Sequence, residues 1–246
     1  MSPPASLAHS ALTLVAMSLA VTLLSQLLRE RPLAALLLGA LAVDFLAGRA
    51  RVGWSLEAGS RGKVLLGCAV GAAAAGGAAM AGWLMGHLRI VLWGMDPVGV
   101  LTGVLAALAL AFRDELWLRW APWHLLEGHV SPWIRAGVVV ALGVAAGVGE
   151  HGLRVGALGV AAQGALSITL LCRTRSFPAL VAASFALRLV ANPTPLGIEL
   201  RWVSGSLASL GAASGPGVWW LVAALVTMTL AILPAAFNPR GADRTG

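Results

Sequence analysis

Residues 64–84 (VLLGCAVGAAAAGGAAMAGWL) carry no charge, and comparable apolar runs recur along the chain. Several approach or exceed the roughly 18 residues that a helix needs to cross a bilayer. Hydrophobic residues make up 59% of the 246, against roughly 45–50% in ordinary globular domains, and no hydrophilic stretch is long enough to fold alone. The pattern predicts an all-α fold, a polytopic membrane helical bundle of about eight transmembrane helices.

The expected spans are residues 9–28, 32–48, 64–84, 98–120, 135–150, 155–172, 177–191 and 218–234, the second and fifth being the weakest. The second is short and carries Asp44. Between the spans, residues 49–63 form a basic loop, HLRIVLWGMDP a connection at an interface, and NPTPLGIELRWVSGS a polar loop. Pro122 and Pro132 bracket APWHLLEGHVSP, whose Trp-rich ends suit the headgroup region. The third span is rich in Gly and Ala, so its neighbours can approach closely. The chain divides into N-terminal helices (1–97), core helices (98–192) and a loop, last helix and tail (193–246), within one integral membrane domain.

The net charge of +7 points to membrane orientation rather than to nucleic acid, because the positives are scattered at loop ends. With the N-terminus inside, ten basic residues fall inside (Arg49, Arg51, Arg61, Lys63, Arg119, Arg135, Arg173, Arg175, Arg240, Arg244) and five outside (Arg29, Arg31, Arg89, Arg154, Arg201). Both termini are therefore expected on the cytoplasmic face. Cys68 and Cys172 lie in apolar runs and read as packing residues rather than a disulfide. No basic segment precedes the first run, so a cleaved signal peptide is not expected.

Within this apolar chain, FRDELWLRW (112–120) concentrates four ionisable residues, Arg113, Asp114, Glu115 and Arg119. An ionised side chain at the centre of a membrane helix costs about 2.5–3.5 kcal/mol, several times the ~0.3–0.6 gained per leucine. Such residues persist when paired, near the interface, or used. Glu115 and Arg119 are spaced i, i+4 and can pair on one face. Asp114 points about 100° away. One carboxylate can thus be held by arginine while the other faces a cavity, poised to activate water. The competing reading is a charged helix end with Arg113 and Arg119 snorkelling to the headgroups.

Two further features join this cluster. His151, after Glu150 at the end of the fifth span, is placed to orient a water or share its proton near neutral pH. Arg188 lies in the middle of the seventh span, with Asn192 one turn later, and one of the acids is its expected partner. Other hydrolytic sites fare worse. No HExxH occurs; HLLEGH (124–129) approaches the inverted HxxEH pattern, but Gly128 spoils its register. Ser204-Gly205 has no later histidine to act as base, and Asp44 and Asp96 lie in contexts that do not suit an aspartyl dyad. No metal and no cofactor is expected.

DELWLRW resembles the EExxxR signature of the CPBP (also called ABI) family, the type II CAAX-protease-like glutamic intramembrane proteases. The similarity extends over roughly residues 98–192: His151 follows Glu115 by thirty-six residues in GVGEH, similar to the family's FxxxH, and GALSITLLCRTRSFPALVAASF (164–185) is similar to its next conserved segment. The resemblance implies that an acid of the first motif activates water against a peptide bond, helped by the histidine, while a later His and Asn stabilise the oxyanion. By position, Asp114 takes the first-acid place, Glu115 the second, Arg119 that of the arginine and His151 that of the histidine. Three departures stand out. The first acid is Asp; Gly147 replaces the aromatic of FxxxH; and the late motif lacks its histidine, its two places falling on Ser184 and Arg188 in one register and on Arg188 and Asn192 in another. Either acid of the pair is open as the base.

The resemblance therefore implies an intramembrane endopeptidase of the bacterial inner membrane acting on a membrane-anchored protein substrate in the lipid bilayer, such as a processing enzyme for C-terminal sorting tails (myxosortase-like). Its candidate catalytic residues are Asp114, Glu115, Arg119, His151, Arg188 and Asn192. The alternatives are a non-catalytic relative, binding a partner or conferring resistance to a peptide toxin, and a small proton-coupled transporter using Asp44, Asp114, Glu115 and Arg188. No internal repeat of the kind transporters show is evident.

Overall fold

The computed structural model describes residues 61–92, 94, 96–151, 156–193, 196–202 and 216–236. The spans expected at 9–28 and 32–48, the loop at 49–60 and the tail lie outside the described residues, as does Ser204. The remainder is mostly helical: α1 Arg61–Leu84, α2 Pro97–Glu115, a π-helical turn Leu116–Trp120, α3 Ala121–Leu125, α4 Pro132–His151, α5 Gly156–Thr174, α6 Phe177–Ala191 and α7 Pro216–Ala236. Two stretches, Arg61–Leu84 and the continuous Pro97–Leu125, are long and apolar enough to cross a membrane. The others contain shorter apolar segments, at 132–145, 158–174, 177–191 and 222–233.

The helix boundaries have local causes. Asp96 caps α2, its carboxylate accepting from the backbone N–H groups of Val98 (3.2 Å) and Gly99 (3.0 Å), with Pro97 entering the first turn. A connection of only Arg175 and Ser176 joins α5 to α6, and Arg175 takes a left-handed backbone (φ 47°) to make it. α6 stops at Asn192, followed by Pro193.

Two features depart from the sequence expectation. Pro122 does not end the fourth span. A proline inside a regular helix lacks one N–H and collides with the carbonyl four residues back. The π turn widens the register by one residue ahead of it, Ala121 N–H bonding Leu116 O, and the helix runs on to Leu125. The second departure adds to a mostly helical fold: β1 (Leu88–Leu92) and β2 (Ile198–Trp202) form an antiparallel two-stranded ribbon, pairing Arg89 with Arg201, Ile90 with Leu200, Val91 with Glu199 and Leu92 with Ile198. Both strands fall in stretches read as connections. Each is five residues long, and each is satisfied only by a partner distant in the chain.

α1 and α6 meet through small residues. A Cβ added to Gly67 would stand 2.1 Å from the carbonyl oxygen of Ala179, and one on Gly71 2.0 Å from that of Ala183. Glycine at both places lets the two backbones touch, as expected of this Gly/Ala-rich span. One apolar cluster groups Leu116, Trp117, Trp120, Val139, Ile168, Leu171, Phe177 and Leu180. A second groups Val70, Ala74, Ala75, Ala162, Leu166, Leu187, Leu225 and Ile232. Ser167 sits in the chain between Leu166 of the second and Ile168 of the first, at the seam where the polar residues gather.

Candidate active site

Glu115 is the last residue of α2 before the π turn and is fully buried. Its Oε1 accepts three hydrogen bonds: from Arg119 Nη1 at 2.5 Å, from Ser167 Oγ of α5 at 3.1 Å, and from Ser184 Oγ of α6. Gln163 Nε2 of α5 donates to Ser184 Oγ at 3.1 Å, fixing the hydroxyl from behind. Arg119 is 2% exposed, so its ion pair with Glu115 is out of water. Removing two charges from water costs several kcal/mol per ion, which a pair recovers only with good geometry and extra hydrogen bonds. Glu115 has those extra bonds, all on one oxygen. Its Oε2 and Arg119 Nε are buried with no hydrogen-bond partner among the described residues.

Asp114 projects from the other side of α2, as the turn of the helix requires. Its Oδ1 accepts from Arg113 Nε at 2.7 Å and its Oδ2 from Arg188 Nη2 of α6. Arg188 stands in the last turn of α6 and not in the middle of the span as expected, and it finds an acid partner there. The expectation that one carboxylate faces a cavity while arginine holds the other is altered: arginines hold both. What distinguishes the acids is that, among the described residues, Asp114 has a donor on each oxygen, whereas Glu115 has three on one and none on the other.

The structure thus brings buried Asp114, Glu115 and Arg119 together with half-buried Arg188 in one cluster. Asn192 is exposed at the end of α6, its backbone N–H on the Arg188 carbonyl at 2.9 Å. His151 closes α4, and its side chain lies outside the described residues. Arg113, which the interfacial reading sent to the headgroups, holds Asp114 with its side chain 15% exposed. The sequence reading passed over Gln163 and Ser167, and named Ser184 only as one register of the late motif. A signal for all three exists: Gln163/Ser167, Ser184/Arg188 and Glu115/Arg119 are polar pairs at i, i+4 on three separate helices, each giving an apolar span one polar stripe.

The HLLEGH segment does other work. His124 Nδ1 donates to the Trp120 carbonyl at 2.9 Å and its ring packs on Trp120. His129 Nδ1 donates to the Glu127 carbonyl at 3.0 Å, and Arg135 lies 3.9 Å over the Trp123 ring, tying α3 to α4. Among the described residues no group of three or more His, Cys, Asp and Glu side chains is placed to hold a metal. Cys68 and Cys172 are both free thiols.

No family model, no curated protein and no solved structure matches this chain.

Proposed function

We propose that this chain is an intramembrane endopeptidase of the inner membrane, built on about eight transmembrane helices with both termini cytoplasmic, in which Glu115 activates the water. The observation that carries the reading is the one-sided coordination of Glu115: three donors fix Oε1, leaving Oε2 as the buried basic oxygen. In the proposed reaction Oε2 takes a proton from water as the water oxygen bonds the scissile carbonyl carbon of a membrane-anchored protein. The carbonyl electrons move onto its oxygen, and cationic donors of the Arg188 region offset that charge. On collapse the C–N bond breaks and the proton on Glu115 passes to the departing amine. His151, at the end of α4, is proposed to orient the water, and Asn192 to contact substrate near the rim. Asp114 holds Arg188 in place.

The ribbon supports the proposed topology. Pairing of β1 with β2 requires both strands at the same end of the bundle, hence an even number of crossings between them. The four spans that the sequence places between them satisfy that.

One observation favours the non-catalytic alternative: Asp114, in the place of the first acid, has both oxygens occupied by arginines. The two readings separate in membranes containing the intact protein or its Glu115→Gln variant, compared for a membrane protein that stays unprocessed. Loss of a general base is expected to slow processing by at least about 10²–10⁴-fold while the protein still inserts. Full processing by both Glu115→Gln and Asp114→Asn sinks the peptidase reading.

A further inference from the structure

The β1–β2 ribbon is amphipathic in a way that neither strand reveals alone. Side chains alternate faces along a strand, and residues opposite one another in an antiparallel pair share a face. One face therefore carries Leu88, Ile90, Leu92, Leu200 and Ile198, and the other carries Arg89, Arg201, Val91 and Glu199. Among the described residues, the β1 side of the apolar face is covered at its root and open towards its tip, while Leu200 and Ile198 of β2 are half-buried. Leu88 is 3% exposed, whereas Ile90 is 54% and Leu92 77% exposed.

Three observations identify what covers the tip. β1 joins two stretches that are both long and apolar enough to cross a membrane, α1 and Pro97–Leu125, so the ribbon stands at their common end. Trp83, in the last turn of α1, is 54% exposed, which is where tryptophan marks the headgroup level of a membrane helix. On the polar face Arg89 lies directly across the ribbon from Arg201, both exposed, with Glu199 bonded to Arg201 at 3.0 and 3.1 Å. That leaves a net positive face, complementary to lipid phosphates.

We infer that the ribbon lies flat in the headgroup layer of one leaflet of a phospholipid bilayer, with Ile90, Leu92 and Ile198 in the acyl boundary and Arg89 and Arg201 at the phosphates. The inference uses the membrane placement but not the peptidase chemistry. In this position the outer edges of the two strands lie in the plane of the membrane.

The experiment is site-directed spin labelling of the full chain, with Cys68 and Cys172 replaced by Ala, in vesicles of phosphatidylcholine and phosphatidylglycerol. Single labels go at Arg89→Cys, Ile90→Cys, Val91→Cys and Leu92→Cys, with Leu105→Cys on the exposed side of α2 as the membrane reference. Labels at 90 and 92 are expected to collide with oxygen and to be shielded from a water-soluble nickel chelate, and those at 89 and 91 to show the reverse. Equal nickel access at all four, with the label at 105 still in lipid, overturns the ribbon placement alone. Shielding of 90 and 92 from both reagents overturns it in favour of a protein occupant, either a second copy or a substrate strand. Nickel access at 105 as well overturns the membrane placement on which the inference rests.

Discussion

The Ser184 hydroxyl on α6 donates to the same carboxylate oxygen of Glu115 on α2 that Arg119 already holds. A bond from a neutral donor to a charged acceptor is worth about 1.5–3 kcal/mol. Its effect here is directional. With Oε1 pinned from three sides the carboxylate cannot rotate, so the open oxygen keeps one orientation.

Ser184→Ala is expected to lower the rate of processing about tenfold or more with little loss of folded protein, because Arg119 and Ser167 still satisfy Oε1. Ser184→Thr keeps the hydroxyl and is expected to restore most of the activity. Rates measured on the substrate found with Glu115→Gln check both. Equal rates for wild type and Ser184→Ala remove Ser184 from the positioning of Glu115.

The Asp114–Arg188 pair is testable by a double-mutant cycle. Arg188→Met alone leaves Asp114 bonded to Arg113, and Asp114→Asn alone leaves Arg188 without its carboxylate. The double variant removes both charges, and a coupling of about 1–2 kcal/mol is expected from thermal unfolding in detergent. The value is set low because the Arg188 side chain is 31% exposed. A coupling indistinguishable from zero means that the pair does not join α2 to α6.

The contact between α1 and α6 predicts opposite results for two glycines six residues apart, Gly71 and Gly77. Gly71→Val places methyl groups where the Ala183 carbonyl already stands, and overpacking of this kind costs about 1–3 kcal/mol or more. Among the described residues, nothing stands within 4 Å of a Cβ added to Gly77. Gly77→Ala is expected to raise stability by up to about 1 kcal/mol, because alanine is the better helix former. Melting temperatures of the two variants in one detergent decide the matter, and similar values for both overturn the close contact.

How much of this was legible in the sequence depends on how local the cause is. The limits of α6 were readable to the residue, because Ser176, Pro178 and Asn192-Pro193 punctuate it from within. The Glu115–Arg119 pair was readable because four-residue spacing in a helix is a contact in itself. The ribbon was not, since β1 has no reason to be a strand until β2 arrives more than a hundred residues later. The serines were hidden for another reason. A lone hydroxyl in an apolar helix ordinarily bonds back to the carbonyl four residues earlier, as Thr169 does to Ala165 and Thr227 to Ala223. Only the approach of α2 separates Ser167 and Ser184 from these. Likewise, Pro122 read as a stop because the π turn that accommodates it leaves no mark in residue type.

The bare backbone contact of Gly67 and Gly71 with Ala179 and Ala183 also sets an order of assembly. α1 leaves the ribosome roughly ten seconds before α6, at synthesis rates of about 5–20 residues per second. On the membrane placement proposed above, its glycine stripe faces lipid during that interval, or any other small-residue helix that passes. The two carboxylates of α2 are synthesised in the same interval, before the arginine and serine of α6 that hold them exist. Arg113 and Arg119, carried on the same stretch as the acids, are the partners available from the start. The charges on α2 are thus self-chaperoned by neighbours in sequence until the last helix of the site arrives.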